Sequence, residues 1–262
     1  MSFLTRAHPL VFAHRGGCAI GPENTVAAFD LGLAAGADGL ELDVHLSADG
    51  VPVVHHDSTL DRTTDATGPV ARRTAAALAQ VDAGYRYQHD GAYPFRGQDI
   101  GVPTLREVLG RYPGVRIIIE MKVDTAALGQ AVARDVQATG AVGWACVAGA
   151  GARAVAAARH ALPAVASSTT KSEVRGALYR SWFGVQLARG RHSCFQVPET
   201  SGAIRILSRR FIRAAHRAGA LVEAWTIDDE TDMTRLLEWG VDALISNRPA
   251  EAAVARDTFV QR

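Results

Sequence analysis

The chain has 262 residues, 48% of them hydrophobic, which suits one large domain with a sizeable core. Its 28 Lys or Arg against 27 Asp or Glu leave a net charge of +1, so bulk charge gives no reason to expect nucleic acid or an anionic membrane as partner. Three scattered cysteines, Cys18, Cys146 and Cys194, show neither metal-binding spacing nor a disulfide framework, which is compatible with a reducing compartment.

Short apolar runs alternate with alanine-rich helical stretches. Leu10–His14 is the first predicted strand, followed by a helix over Asn24–Ala35 and a second strand over Gly39–His45. A segment from about 58 to 102, rich in Thr, Asp, Gly, Tyr and Pro, precedes a helix over Thr104–Arg111. A stretch this long is seldom structureless in a compact domain and often functional. Strands over Arg116–Lys122, Gly143–Val147, Ala164–Ser168, Cys194–Val197, Leu221–Ile227 and Ala243–Ser246 follow, separated by helices such as Thr125–Ala138, Gly151–Ala161, Ser208–Ala218 and Thr231–Trp239. Eight strands alternating with helices predict a closed (β/α)8 TIM barrel, a single domain over 1–262 with one insertion at about 58–102. No glycine-rich dinucleotide fingerprint supports an open doubly wound sheet. Residues 171–217 hold ten Lys or Arg against Glu173 and Glu199, read as a solvated face of arginine-rich helices. Leu10 runs straight into His14-Arg15, where signal-peptide cleavage would destroy the motif. A cytoplasmic protein without stable membrane insertion is therefore expected.

The first sixty residues carry His14-Arg15-Gly16-Gly17, Pro22-Glu23-Asn24-Thr25, Glu41-Leu42-Asp43 and His56-Asp57. In the second strand Leu40, Leu42, Val44 and Leu46 share one face, and Glu41, Asp43 and His45 the other. With the apolar face against helices, the carboxylates point into the barrel, where they are costly without a cation. Glu120, near the C-terminal end of its strand, points toward the mouth, where barrel enzymes keep their active sites. The all-oxygen set Glu41, Asp43 and Glu120 suits a divalent metal cation, Mg²⁺, Ca²⁺ or Mn²⁺, better than zinc. Ion pairs with Lys122 and arginines are the structural alternative. His14 ends strand one, and either His55 or His56 supplies a second imidazole for proton transfer. Arg15 and Lys122 are phosphate-binding candidates. Asn24 serves either as a helix N-cap or as a direct contact, and Trp225 either as an apolar wall for the substrate or as core. Cys18 is read as a small filler near a tight turn. The ensemble predicts metal-assisted attack on a phosphate ester.

In this order the motifs resemble the signature of the glycerophosphodiester phosphodiesterases. The likeness continues through Val102-Pro103-Thr104-Leu105, Glu120-Met121-Lys122, Ala224-Trp225-Thr226 and Ile245-Ser246-Asn247-Arg248-Pro249, over roughly residues 10 to 250. The resemblance implies an insertion over the barrel mouth and favours His56, the histidine directly before aspartate, with His55 in reserve. It implies hydrolysis of a small glycerophosphodiester to sn-glycerol 3-phosphate and an alcohol. Glu41, Asp43 and Glu120 would hold the cation, His14 and His56 would act as acid and base, Arg15 and Lys122 would neutralise phosphate, and Trp225 would wall the glycerol. Two positions depart: Asp228 stands where the family often has asparagine, and Asn247 where it commonly has aspartate, which bears on substrate preference. Two rival readings keep the same residues. One is lysophospholipid cleavage on the head-group side, with Trp182-Phe183 between Arg180 and Arg189 as a landing surface. The other is a silent phosphodiester-binding barrel, against which the complete set of histidines, carboxylates and cations argues.

Overall fold

The computed structural model describes residues 3–149, 151–187 and 194–262. The chain opens with β1 (Leu10–His14), α1 (Val26–Ala34) and β2 (Gly39–Leu46). A short β3 (Pro52–Val54) folds back antiparallel on β2, and α2 (Ala75–Leu78) lies in the long segment ahead of α3 (Leu105–Arg111). Alternation then resumes with β4 (Arg116–Met121), α4 (Ala126–Ala138), β5 (Ala145–Ala148), α5 (Ala152–Ala161), β6 (Ala166–Ser167), α6 (Lys171–Trp182) and β7 (Cys194–Pro198). A small hairpin of β8 (Thr200–Ser201) and β9 (Ile204–Arg205) precedes α7 (Arg209–Arg217), β10 (Leu221–Trp225), α8 (Glu230–Trp239), β11 (Ala243–Ser246) and α9 (Pro249–Val260).

Eight of these strands run parallel in the order β6-β5-β4-β2-β1-β11-β10-β7. A bridge between Ser168 and Cys194, with Thr169 N–H donating to Cys194 O at 3.0 Å, joins the two ends. The sheet is therefore a barrel, as the element order predicts. The fifth strand is shorter than its apolar run, because only Ala166 and Ser167 keep ladder pairing to β5. Helix α6 is absent from the elements expected from residue patterns, although Thr170 and Glu173 form a reciprocal capping box at its start.

Alternation in the strands builds two concentric cores. Leu40, Leu42 and Val44 of β2 pack with Ile117 and Ile119 of β4 beneath Val108, Leu109, Leu128 and Val132 of α3 and α4. The opposite faces contribute Leu10, Phe12, Ile118, Cys146, Cys194, Ala243 and Ile245 to the barrel interior. Phe3 stacks on Phe12 at 5.8 Å between ring centroids and closes the floor. The insertion has its own small core of Val53, Leu60, Val70, Leu78, Val81 and Val102. Burying each such aliphatic side chain stabilises by roughly 1.5–3 kcal/mol, so the segment is held by packing of its own. It also reaches the mouth: the Tyr87 hydroxyl donates to Ala19 O at 3.1 Å.

Candidate active site

His14 is the last residue of β1, and the chain reverses at once through Arg15, Gly16 and Gly17, whose φ values are 52°, 88° and 90°. A Cβ at Gly16 would stand 2.8 Å from Ala28 and Phe29, so only glycine lets α1 pack on this turn. The turn aims the Arg15 backbone N–H at Glu41 Oε2, 3.0 Å away. On the neighbouring strands His14 is in register with Glu41, and Asp43 with Glu120. As a result Glu41, Asp43 and Glu120 each bring an oxygen to within 4.8 Å of the others. His14 ends β1 and Glu120 is next to the end of β4, and Glu41 and Asp43 of β2 stand beside them in register, as expected for the barrel mouth.

Asn24 is not the cap of α1. Thr25 caps α1, its hydroxyl accepting from Ala28 N–H at 3.2 Å. Asn24, held at φ 59°, clamps Asp43 instead: its amide donates to Asp43 Oδ2 at 2.8 Å, and its carbonyl accepts from Asp43 N–H at 3.1 Å. Here a polar partner in the fold outcompetes a local cap.

Both cations predicted for phosphate lie on the carboxylates. Lys122 Nζ is 3.2 Å from Asp43 Oδ1 and 3.5 Å from Glu120 Oε1. Arg15 Nε is 3.2 Å from Asp43 Oδ2, and its Nη1 is 3.1 Å from Glu23 Oε1. Burial opposes the charge on Lys122, but Asp43 and Glu120 more than offset it and hold the ammonium pKa above its ordinary value.

The structure separates the two adjacent histidines. β3 ends at Val54, so strand parity does not extend to them. His55 is buried, its Nε2–H donating to Thr59 O at 3.1 Å, which places it in the insertion's own structure. His56 donates Nδ1–H to Asp57 Oδ1 at 2.6 Å. His45 supports it from below, its Nε2–H donating to His56 O at 3.0 Å. Asp57 accepts from Arg62 Nε at 2.6 Å, and Arg62 forks onto both oxygens of Glu23 at 2.7 Å. A chain of charge-assisted hydrogen bonds thus runs from His56 through Asp57, Arg62 and Glu23 to Arg15, whose Nε is ion-paired with Asp43. Arg62 is the link sequence reasoning missed. Its fork geometry suits two carboxylates, but nothing local shows that it meets Glu23.

This network tests whether a divalent cation fits. Among the described residues it sets five carboxylates (Glu23, Glu41, Asp43, Asp57 and Glu120) against the three permanent cations Arg15, Arg62 and Lys122. Two negative charges remain in excess. Burial, then the charges of Asp43 and Glu120, push the Glu41 carboxyl well above its ordinary range, so an ionised triad is unfavourable by itself. Asp43 Oδ1 is buried and makes no well-aligned hydrogen bond. Three hard oxygen donors with two uncompensated charges fit a divalent cation.

The far wall carries His14's partner. Asn247 Oδ1 lies 2.6 Å from His14 Nδ1, and its amide nitrogen donates to Asp228 Oδ2 at 2.6 Å. The two positions that depart from the resemblance therefore touch each other. Trp225, at the end of β10, is 42% exposed and is not a core tryptophan. Cys18 is largely enclosed beside Asn247, and burial pushes its thiol up to about 11, which suits a filler and not a nucleophile.

The suggested landing surface lies elsewhere. β6 and β7 are parallel neighbours in the barrel, so α6 must return from the mouth toward the floor. Its 12 residues carry Trp182 and Phe183 about 18 Å along that path. Phe183 is 80% exposed, so the helix end is not buried either. Arg189 lies outside the described residues. Among the described residues no helix is long and apolar enough to cross a membrane.

The sequence profile of the glycerophosphoryl diester phosphodiesterase family matches residues 14–251. An uncharacterized Mycobacterium tuberculosis protein is 38% identical over 139 residues, 52% of this chain but only 46% of that protein, so the match spans less than half of that relative. The putative glycerophosphodiester phosphodiesterase YhdW of Bacillus subtilis is 31% identical over 244 residues, covering 91% of this chain and 94% of its own. Among solved structures, the glycerophosphoryl diester phosphodiesterase domain of the M. tuberculosis protein superposes with a TM-score of 0.82 at 25% identity, covering 95% of this chain and 99% of that one. An Oleispira antarctica phosphodiesterase in complex with its product sn-glycerol-3-phosphate superposes with a TM-score of 0.74 at 26% identity, over 95% and 97% of the two chains. With matching motifs from β1 to the start of α9 and a barrel of the same shape, this chain belongs to the glycerophosphoryl diester phosphodiesterase family.

Proposed function

We propose that this chain, as one domain with the 58–102 segment at its mouth, hydrolyses a glycerophosphodiester to sn-glycerol 3-phosphate and an alcohol with the help of a divalent cation. The observation that carries the reading is the triad of Glu41, Asp43 and Glu120, with its excess of negative charge, His14 Nε2 3.8 Å from Glu41, and the Nδ1 atoms of His14 and His56 each tied to a partner. Glu41, Asp43 and Glu120 would hold Mg²⁺, Ca²⁺ or Mn²⁺, which supplies Lewis-acid stabilisation of the charge that develops on phosphate. Lys122 and Arg15, already gathered at Asp43, neutralise the remaining phosphate charge. With Nδ1–H donated to Asn247, His14 has Nε2 available to take the proton of the nucleophile, either water directly or the glycerol 2-hydroxyl, in which case water then opens the cyclic phosphate to glycerol 3-phosphate. His56, with Asp57 behind it, delivers a proton to the departing alkoxide oxygen. The exposed face of Trp225 lines the path for the glycerol carbons. The product seen in the O. antarctica relative supports the substrate class.

The deciding experiment is a coupled assay for glycerol 3-phosphate release from glycerophosphocholine, with and without EDTA. Release that stops on chelation and returns with Mg²⁺, Ca²⁺ or Mn²⁺ is expected. Full turnover in exhaustively chelated enzyme would remove the metal from the reading, and absence of release with every cation would remove the substrate. A substrate lacking the glycerol 2-hydroxyl distinguishes attack by that hydroxyl, which needs it, from attack by water, which does not.

A further inference from the structure

The polar cluster behind His14 is ordered by its acceptors. Asp228, as a carboxylate, only accepts. Its Oδ1 receives the Ser246 hydroxyl at 2.9 Å and the Asn247 backbone N–H at 2.8 Å, and its Oδ2 receives the Asn247 side-chain amide at 2.6 Å. The reverse orientation of that amide would set oxygen against oxygen at this separation, so its nitrogen must face Asp228. The amide oxygen then faces His14 Nδ1 at 2.6 Å and also accepts from Cys18 Sγ at 2.7 Å. An oxygen without a proton can bond His14 only if Nδ1 carries one. The lone pair of the neutral ring is thereby confined to Nε2, on the mouth side, 3.8 Å from Glu41 Oε2.

We propose that Asp228 and Asn247 are positioning residues that act in series. Asp228 fixes the orientation of the Asn247 amide, and Asn247 fixes His14 as its Nδ1–H tautomer with Nε2 as the proton acceptor. The arrangement at the second histidine differs, because His56 meets its carboxylate, Asp57, directly. At His14 the carboxylate is one residue removed, behind a neutral amide. Its role there is orientation, since it does not touch the imidazole. The catalytic part of this inference rests on the phosphodiesterase reading; the tautomer does not.

The test has one arm for each. In protein labelled with ¹⁵N-histidine and saturated with Mg²⁺, long-range ¹⁵N–¹H correlations at a pH where His14 is neutral should show Nδ1 protonated and Nε2 bare. The Nε2–H tautomer, or an averaged mixture, would overturn the proposal whatever the activity. D228N replaces the acceptor by an amide that can turn either way. It should lose the single tautomer and lower kcat about tenfold or more, with KM changed by no more than about twofold. The exchange D228N/N247D again gives His14 an acceptor held by a neighbouring donor. It should restore one tautomer and bring kcat to within about threefold of wild type, a non-additive rescue. A D228N protein with unchanged tautomer and kcat, or an exchanged protein no better than D228N, counts against the pair. If no variant and no wild-type sample releases glycerol 3-phosphate while the tautomers behave as stated, the activity reading fails and the positioning stands.

Discussion

At the barrel mouth two buried carboxylates, Glu41 and Asp43, are ringed by Arg15, Lys122, the Asn24 amide and a third carboxylate, Glu120. Inside the same barrel, two residues before Trp225, Glu223 is equally buried, with the Gln196 amide donating to it at 2.7 Å and the Cys194 thiol and the Arg6 charge as further polar neighbours. The facing thiols of Cys146 and Cys194, 3.6 Å apart, belong to the same interior core as Phe12 and Ile118. Burial pushes the Glu223 carboxyl up to about 7. One region gathers more carboxylates than its cations cancel and opens to the mouth through the partly exposed Glu120. The other tolerates a single carboxyl by letting it hold its proton. A buried carboxylate is therefore not by itself a sign of a metal site; clustering beyond the available countercharge is.

The largest effect should come from removing the surplus at the mouth. Glu41→Ala, Asp43→Ala and Glu120→Ala should each weaken Mg²⁺ binding measured by calorimetry and reduce turnover by about 10³-fold or more. Unchanged affinity in all three would show that the cluster is an ion-pair network like any other. Next come the histidines. His14→Ala and His56→Ala should each lower kcat by roughly 10²–10⁴, and the double variant by little more, because the two act as one unit. His55→Ala should stay active, since that ring is spent on Thr59 O; an inactive His55 variant beside an active His56 variant would reverse the assignment.

A smaller loss is expected at Arg62, which ties Asp57 to Glu23 across the mouth. Arg62→Ala should reduce kcat by about tenfold while leaving Mg²⁺ affinity within about twofold, since it touches neither metal ligand nor reacting atoms. A loss of metal affinity equal to that of Asp43→Ala would instead place Arg62 in the cation site's support.

The interior supplies the smallest effect, on stability alone. The folded-state value for Glu223 is about 7 against an ordinary 4.5, so between these pH values the folded protein keeps a proton that the unfolded chain releases. Stability should therefore fall as pH rises from 4.5 to about 7, by about 3 kcal/mol in total, and level off above. Glu41, raised by burial and by Asp43 and Glu120, slopes the same way without metal, so the comparison is made at saturating Mg²⁺. Urea unfolding of Glu223→Gln at pH 5 and pH 8 should lack this decline; parallel slopes for variant and wild type would mean that Glu223 does not carry the proton.

Much of the barrel was readable from residue patterns. The apolar period in β2 set Leu40, Leu42 and Val44 against the helices and turned Glu41 and Asp43 inward, as found. Helix α6 is legible in principle from its Thr170–Glu173 capping box, although its low apolar periodicity within a basic run gives little further sign of it. Asn24 shows the limit of local reasoning. Its position before a helix resembles a cap, but Thr25 takes that role and the Asn24 amide reaches Asp43, 19 residues away.

By itself the sequence determined which residue types carry the chemistry, on which strand faces they lie, and that strands and helices alternate eightfold, because periodicity and motif order are properties of short stretches of chain. Only the tertiary structure decided how those residues are partnered. Arg62 on Glu23 and Asn247 on His14 across 233 residues follow from the packing of the insertion and from barrel closure, which bring residues together irrespective of their separation in sequence. A hydrogen bond acts over about 3 Å, and no local pattern specifies which distant donor will arrive within that range.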